Sequence, residues 1–317
     1  MKLKDLEKNT FFSQLEKIGI SIASGPFNFS VKSPFESVAD SLALMYADHS
    51  VVPGNNFVDF YTEIKSPSLT RKFFRPQCRF YFDGEAPFYP LPREQAFAAF
   101  EWGLNWVISN HAHQYLILHA AVVEKDGHAL VMPGEPGSGK STLCTALCHH
   151  GWRLLSDELT LIHLNSLKAV PLCRPISLKN KSIEVIADYL GDACVMGPTV
   201  NDTSKGIVAH VKPPKDSVHR MGHPVKISWF VFPRYQKNAD PVLQIKNKAE
   251  TFLEIAKNAF NYSFHGKNGL RVLKEIVSST SSYRLEYSQL EDAEELLNTL
   301  EAPVTVAPKV RVYSAAK

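Results

Sequence analysis

Residues 134–142 read GEPGSGKST, with glycine at 134, 137 and 139 followed by Lys140 and Ser141. The spacing fits G-x-x-x-x-G-K-[ST], a loop that functions only where a strand ends and a helix begins. The flanks agree, because an apolar run at 129–132 precedes it and KSTLCTALCHHG reads as a helix ending at Gly151. Glycines let successive backbone N–H groups converge on a phosphate, and the helix start adds a partial charge of about +0.5. The run therefore commits the chain to an α/β fold around a bound polyphosphate. Gly134, Glu135, Pro136, Gly137, Ser138, Gly139, Lys140, Ser141 and Thr142 form the expected ATP-binding set. Lys140 is expected to reach the β- and γ-phosphates, and the Ser141 hydroxyl to ligate Mg2+.

Such a site needs a further acid for the metal. Asp157 and Glu158 follow the apolar pair Leu154-Leu155, one helix and one return strand after the loop. Adjacent carboxylates on a strand point to opposite faces, so only one meets the phosphate unless a bulge re-aims the other. Upstream, YLILHAAVVEK and HALVMPG are separated by Asp126-Gly127, a hairpin-turn dipeptide. That places His119 on the hairpin whose second strand feeds the loop.

At 317 residues the chain has room for a large domain and a smaller one. Residues 1–92 read as a smaller α+β domain. Strands are expected in FNFSVKS (27–33), FVDFYTEI (57–64) and CRFYFDG (78–84), and a helix in PFESVADSLALMYA (34–47) after the cap Ser33. Pro87, Pro90 and Pro92 place the boundary near residue 92. Residues 93–302 form the expected catalytic domain, opening with a helix at about 93–111, and 303–317 are expected as a loosely held tail.

A net charge of +3 gives no reason to expect a nucleic-acid partner. No apolar run approaches the ~18 residues a membrane span requires. The N-terminus mixes acids and bases, unlike a secretory signal. Five scattered cysteines suit reduced thiols, and with these signs point to the cytoplasm. Cys144 and Cys148 share a helix face beside His149 and His150, where core packing is the expected role rather than metal binding.

The run LHAAVVEKDGHALVMPGEPGSGKSTLCTALCHHGWRLLSDE (118–158) resembles the HPr serine kinase/phosphorylase family, a structural relative of phosphoenolpyruvate carboxykinase. A looser resemblance, to the HprK-related kinase A branch, extends over 93–300. It rests on CRPISLKNKS (173–182), KGIVAHVKPP (205–214), WFVFPRY (229–235) and AFNYSFHGKNG (259–269). The resemblance implies a P-loop core of the HPr kinase/PEP carboxykinase type with a mixed sheet. It implies transfer of the γ-phosphate of ATP, with Mg2+, to a hydroxyl, expected to be a serine of a protein or peptide. By the same resemblance Asp157 is the base, Glu158 a metal ligand with Ser141, and His119 the neighbour of the base. The family usually carries two aspartates here, so the glutamate leaves the order of the two roles open. Arg174 and Lys212 are the expected cations around the transferring group, ahead of Lys179 and His210.

The arginine- and glycine-rich signature of true HPr kinases is missing, which leaves the acceptor and any reverse phosphorylase reaction open. Neighbours in the related branch include a small peptide-chaperone-like protein, implying a peptide substrate or partner. A sheet edge in residues 1–92 offers strand addition as a means of capture. The alternatives are a small-molecule kinase and an ATP-binding regulatory module that transfers no phosphate.

Overall fold

A computed structural model describes residues 1–302; the tail expected at 303–317 lies outside the described residues. The fold is mixed α/β, with three sheets among the described residues. Six strands form the first, in the spatial order Ser50–Val51, Ile20–Ser24, Phe27–Lys32, Phe60–Lys65, Gln77–Phe82, Leu91–Pro92. Alternating residues of its strands, such as Ile20 and Ile22 or Phe27, Phe29 and Val31, are buried on one side, as a period of two requires. The intervening helix Glu36–Met45 starts just beyond Pro34.

The helix Ala96–His111 covers this sheet. Phe100, Leu104, Val107 and Ile108 recur at helical spacing and share a core with Leu15, Ile22, Leu42 and Ile64. A Cβ at Gly103 would run into the Phe80 ring, so glycine there permits the close approach of helix and sheet. The boundary near residue 92 is thus not a boundary of the core, because the first long helix after it completes the N-terminal core.

The second sheet has eight strands. Its main order is Lys168–Val170, Leu159–His163, Tyr115–Lys125, His128–Pro133, Val225–Tyr235, Ser281–Tyr287, Val242–Ile245. His128–Pro133, Val225–Tyr235 and Ser281–Tyr287 run parallel to their neighbours in that series, and the hairpin and edge pairings are antiparallel. Lys168–Val170 also pairs with the start of Val225–Tyr235, so one end of the sheet curls back on itself. Tyr115–Lys125 is covered on both faces, which is why it reads as a nearly continuous apolar run. Leu116, Leu118, Ala120 and Val122 pack toward the helices Lys248–Lys257 and Tyr262–Ser279. Ala121 and Val123 pack toward the helix Lys140–His149, with Cys144 and Cys148. His119 has the parity of Ala121, which aims it toward the helix that follows the Gly134–Thr142 loop.

The return segment WRLLSDELTLIHL is two strands. Arg153–Ser156 and Leu159–His163 both pair antiparallel with Tyr115–Lys125, Ser156 opposite Val122 and Leu159 opposite His119. Asp157 and Glu158 fall unpaired between them, and the break frees both side chains from strict alternation. The third sheet comprises Ile176–Lys179, Gly206–Val211 and Val200–Thr203. Among the described residues no helix is long and apolar enough to cross a membrane.

Candidate active site

A cleft of about 1300 Å³ opens above the start of the helix Lys140–His149. Its loop side is backbone. Gly139 is the residue before that helix, at φ 96°, and a Cβ there would lie 2.5 Å from the Tyr287 hydroxyl. Gly137 also has a positive φ, 86°, so both glycines are required by conformation, and Gly139 by space as well. The loop is tied to the sheet where the Tyr235 N–H donates to Ser138 O at 3.3 Å. The buried Lys140 ammonium donates to Gly134 O at 2.5 Å and Glu135 O at 2.8 Å. Burial pushes its pKa down, against the nearby carboxylates of Asp157 and Glu158.

The two acids both line the cleft but are compensated differently. Asp157 is buried; its Oδ2 accepts from the Ser177 N–H at 3.1 Å, while Oδ1 has no hydrogen-bond partner among the described residues. Burial, and then the charge of Glu158, push Asp157 up to about 6, against the Ser141 hydroxyl, the Ser177 N–H and Lys179. Glu158 pairs with Lys179 at 3.2 Å and accepts from the Asn105 amide. Burial would raise its pKa, but Lys179 and Lys205 hold it below the usual carboxylate range. His119 lines the same cleft; burial and Lys140 lower its pKa, opposed by Glu158. A buried acid without a cation and a neighbouring acid with one form an asymmetric pair.

The expected ATP-binding residues Pro136, Gly137, Gly139, Lys140, Ser141 and Thr142 line the cleft. Gly134 and Glu135 contribute the carbonyls that hold Lys140, and the Ser138 hydroxyl is buried beneath the loop. The expected cations are distributed otherwise. Arg174 is buried against Glu101, Nη2 to Oε2 at 2.8 Å, and also donates to Asn105 Oδ1 at 2.9 Å. Glu101 in turn accepts from the Tyr46 hydroxyl at 2.6 Å. Arg174 and His210 line a smaller cavity adjoining the acids, not the cleft itself. Lys212 lines neither; its Nζ is 2.9 Å from Asp48, which also holds Lys4 at 2.8 Å. Lys179, Lys181 and Lys205 are the cations that the fold brings to the cleft beside Lys140 among the described residues, with Lys205 Nζ 4.8 Å from the Trp102 ring centre.

The wall facing the loop includes residues without a motif. Trp102, Asn105, Trp106 and Ser109 lie on the cleft side of the helix Ala96–His111. Their spacing of three, one and three is that of one helix face. The sequence carries this signal as a stripe of two tryptophans interleaved with Asn105 and Ser109, beside the core stripe Phe100, Leu104, Val107, and it is legible once two faces are sought.

All the oxygen donors a Mg2+ ion would need from the chain are hard ones, the Ser141 hydroxyl and a carboxylate at the helix start, which suits that ion. No group of three or more His, Cys, Asp or Glu that could hold a metal occurs among the described residues. A site completed by nucleotide phosphates requires only one or two carboxylates from the protein.

The family described as "SynChlorMet cassette protein ScmC" matches residues 95–174, about a quarter of the chain, from the start of the helix Ala96–His111 through the loop and both acids to Arg174. No curated protein matches. Among solved structures, the Hpr(Ser) kinase/phosphatase from Coxiella burnetii is similar over 57% of this chain and 94% of that one, with 13% identity and a TM-score of 0.27. That likeness is too loose to place any residue.

Proposed function

We propose that the protein is an ATP- and Mg2+-dependent kinase that transfers the γ-phosphate to a hydroxyl, a serine of a protein or peptide. The observation that carries the reading is the convergence, in one cleft, of a glycine-rich helix start, Lys140, the Ser141 hydroxyl and the asymmetric acids Asp157 and Glu158. The loop N–H groups and Lys140 bind and orient the phosphates.

Partner chemistry favours the order of the acids opposite to that implied by the family resemblance. Asp157 is a buried anion with no cation in salt-bridge contact among the described residues, so it and Ser141 are the groups that would hold Mg2+. Glu158 already has Lys179 and is kept ionised at neutral pH, so it is the group to take the proton of the acceptor hydroxyl. His119, held neutral by burial, orients the acceptor beside Glu158. Bound Mg2+ supplies neutralisation of charge on the phosphate oxygens. Lys179 and Lys205 add positive charge where the transferring group becomes oxygen-rich. Trp102 and Trp106 exclude water from the acceptor side.

The cleft, at about 1300 Å³, is larger than the 300–1,000 Å³ typical of a pocket for one small ligand, which suits a nucleotide and an acceptor bound together. Nucleotide binding and γ-phosphate transfer from labelled ATP test the reading, with Lys140→Ala as control. Tight nucleotide binding that persists in a folded Lys140→Ala variant removes the loop from the site. Binding without transfer to any protein, peptide or water would leave a regulatory module instead.

A further inference from the structure

A second cavity, of about 20 Å³, shares Asp157, Glu158 and Ser177 with the cleft but is also lined by Arg174 and His210. Four polar atoms of its lining residues are buried without a hydrogen-bond partner among the described residues: Asp157 Oδ1, Arg174 Nε, Ser177 Oγ and His210 Nε2. A buried polar atom left without a hydrogen bond is costly, so four around one void call for a common partner. The void exceeds the roughly 10–15 Å³ that one water requires.

The donor and acceptor roles select the occupant. The Arg174 Nε–H can only donate, and an ionised Asp157 oxygen can only accept. The Ser177 hydroxyl does either, and takes whichever role the His210 tautomer leaves. One water accepts two hydrogen bonds and donates two, which closes all four atoms. A cation at this point would meet the Arg174 guanidinium, and an anion would meet Asp157 and Glu158, so a neutral occupant fits.

We propose that this cavity holds one ordered water linking Asp157 to the Arg174–Glu101 ion pair, and that Ser177 and His210 are positioning residues for Asp157. Asp157 is then fixed at both oxygens, Oδ2 by the Ser177 N–H and Oδ1 by the water. Arg174 acts on the site through this link and not by touching phosphate. The water stands on the cavity alone, whereas the positioning role rests on the kinase reading.

A crystal structure of the wild-type protein at atomic resolution tests the first half. One peak is expected, within about 2.7–3.2 Å of the four atoms. An empty cavity, or side chains turned to bond each other directly, overturns it. Ser177→Ala tests the second half, since it removes the hydroxyl and keeps the backbone N–H on Asp157. The expected result is a fall in kcat and in apparent Mg2+ affinity of about 10–100-fold, the usual cost of losing a partner of a metal-ligand residue, with nucleotide affinity measured without Mg2+ unchanged. A wild-type rate and Mg2+ requirement in the folded variant overturn the positioning role. Absence of transfer by the wild-type protein sinks the kinase reading instead, and the electron density still decides the water.

Discussion

The two walls of the cleft are made of different material. The loop wall is largely backbone from nine consecutive residues, 134–142, and even the Lys140 ammonium is held by carbonyls of the same loop. The facing wall is made of side chains from distant segments: Trp102, Asn105 and Trp106 on a helix, Lys179 at the end of a strand, Lys205 in a hairpin turn. Binding of a phosphate chain needs N–H groups, which any residue supplies provided the backbone can turn. Selection of an acceptor needs particular side chains, which only the completed fold brings together. The first wall is expected to tolerate almost no change at its glycines and Lys140, and the second to be adjustable without loss of nucleotide binding.

Asp157 and Glu158 sit where the walls meet, and exchanging their charges for amides gives the largest test of the division. Glu158→Gln is expected to lower kcat by about 10²–10⁴, the range for a general base, with little change in the Mg2+ requirement. Asp157→Asn is expected to raise the Mg2+ concentration needed for half-maximal rate and to recover part of its activity at high Mg2+. Steady-state rates over a Mg2+ titration separate the two. If Asp157→Asn loses kcat at saturating Mg2+ while Glu158→Gln shows only the metal defect, the acids have the opposite roles.

The same asymmetry predicts a stability effect. Asp157 is pushed up to about 6 from the usual 3.8, so in the metal-free protein its ionised form is destabilised by folding. Between the two values the folded protein binds a proton that the unfolded chain does not, and stability is gained as pH falls through that window. Above pH 6 the buried charge costs on the order of 3 kcal/mol, from about two units at 1.36 kcal/mol each. Asp157→Asn removes that cost and keeps an oxygen to accept from the Ser177 N–H. With chelator present, urea unfolding is expected to show the variant more stable than wild type at pH 8, with the advantage gone below pH 4. An equal or lower stability at pH 8 would mean that the carboxylate is compensated after all.

The sequence announces the loop wall because all its determinants are adjacent. The pattern of glycines, Lys140 and Ser141, the strand before it and the helix after it are readable together. The hairpin at Asp126-Gly127 and the parity that turns His119 inward follow from local rules as well. The break between Ser156 and Leu159 does not. WRLLSDELTLIHL has the composition of one strand, and the break that turns both acids toward the cleft is decided by pairing with Tyr115–Lys125. Arg174 illustrates the harder limit. Next to Pro175 it suits a phosphate contact, yet its fate depends on Glu101, which looks like an ordinary helix-surface acid in sequence. In the fold Glu101 is buried and already bonded to Tyr46, and its carboxylate captures the guanidinium. Lys179 and Lys205, which look like solvated charges, are left to face the cleft.

The facing wall can be disturbed more gently. Trp106 contacts Phe88 at 5.6 Å and Phe82 at 6.4 Å between ring centres and also lines the cleft. Trp106→Leu keeps an apolar body but loses the flat aromatic face, worth about 0.5–1.5 kcal/mol beyond its area. The KM for a peptide acceptor is expected to rise about 3–10-fold, while the affinity for ATP stays at the wild-type value. Nucleotide titration and acceptor kinetics on the same preparation check both halves. A loss of ATP affinity comparable to that of Lys140→Ala would show that the walls are one energetic unit and dissolve the contrast between them.

Lys212 supplies the smallest expected effect and marks where the site ends. Its Nζ lies 2.9 Å from Asp48, a residue of the N-terminal region, and Lys4 holds the other oxygen at 2.8 Å. The interaction joins two parts of the fold outside the cleft. Asp48 is held down to about 2 by its hydrogen bonds and charge pairing with Lys4 and Lys212, against the cost of burial. A depressed acid contributes stability that is present above its unfolded value near 4 and is lost as pH falls toward 2. Lys212 is partly exposed, and Lys4 remains when it is removed. Lys212→Ala is therefore expected to cost no more than about 1 kcal/mol at pH 7. The difference from wild type should shrink as pH falls through 4 toward 2, and both ATP affinity and kcat should be unchanged. Denaturation at pH 7 and pH 3 measures the first part and steady-state kinetics the second. A kcat lowered by more than about tenfold without loss of stability would return Lys212 to the reacting phosphate, and would require the contact with Asp48 to break when nucleotide binds.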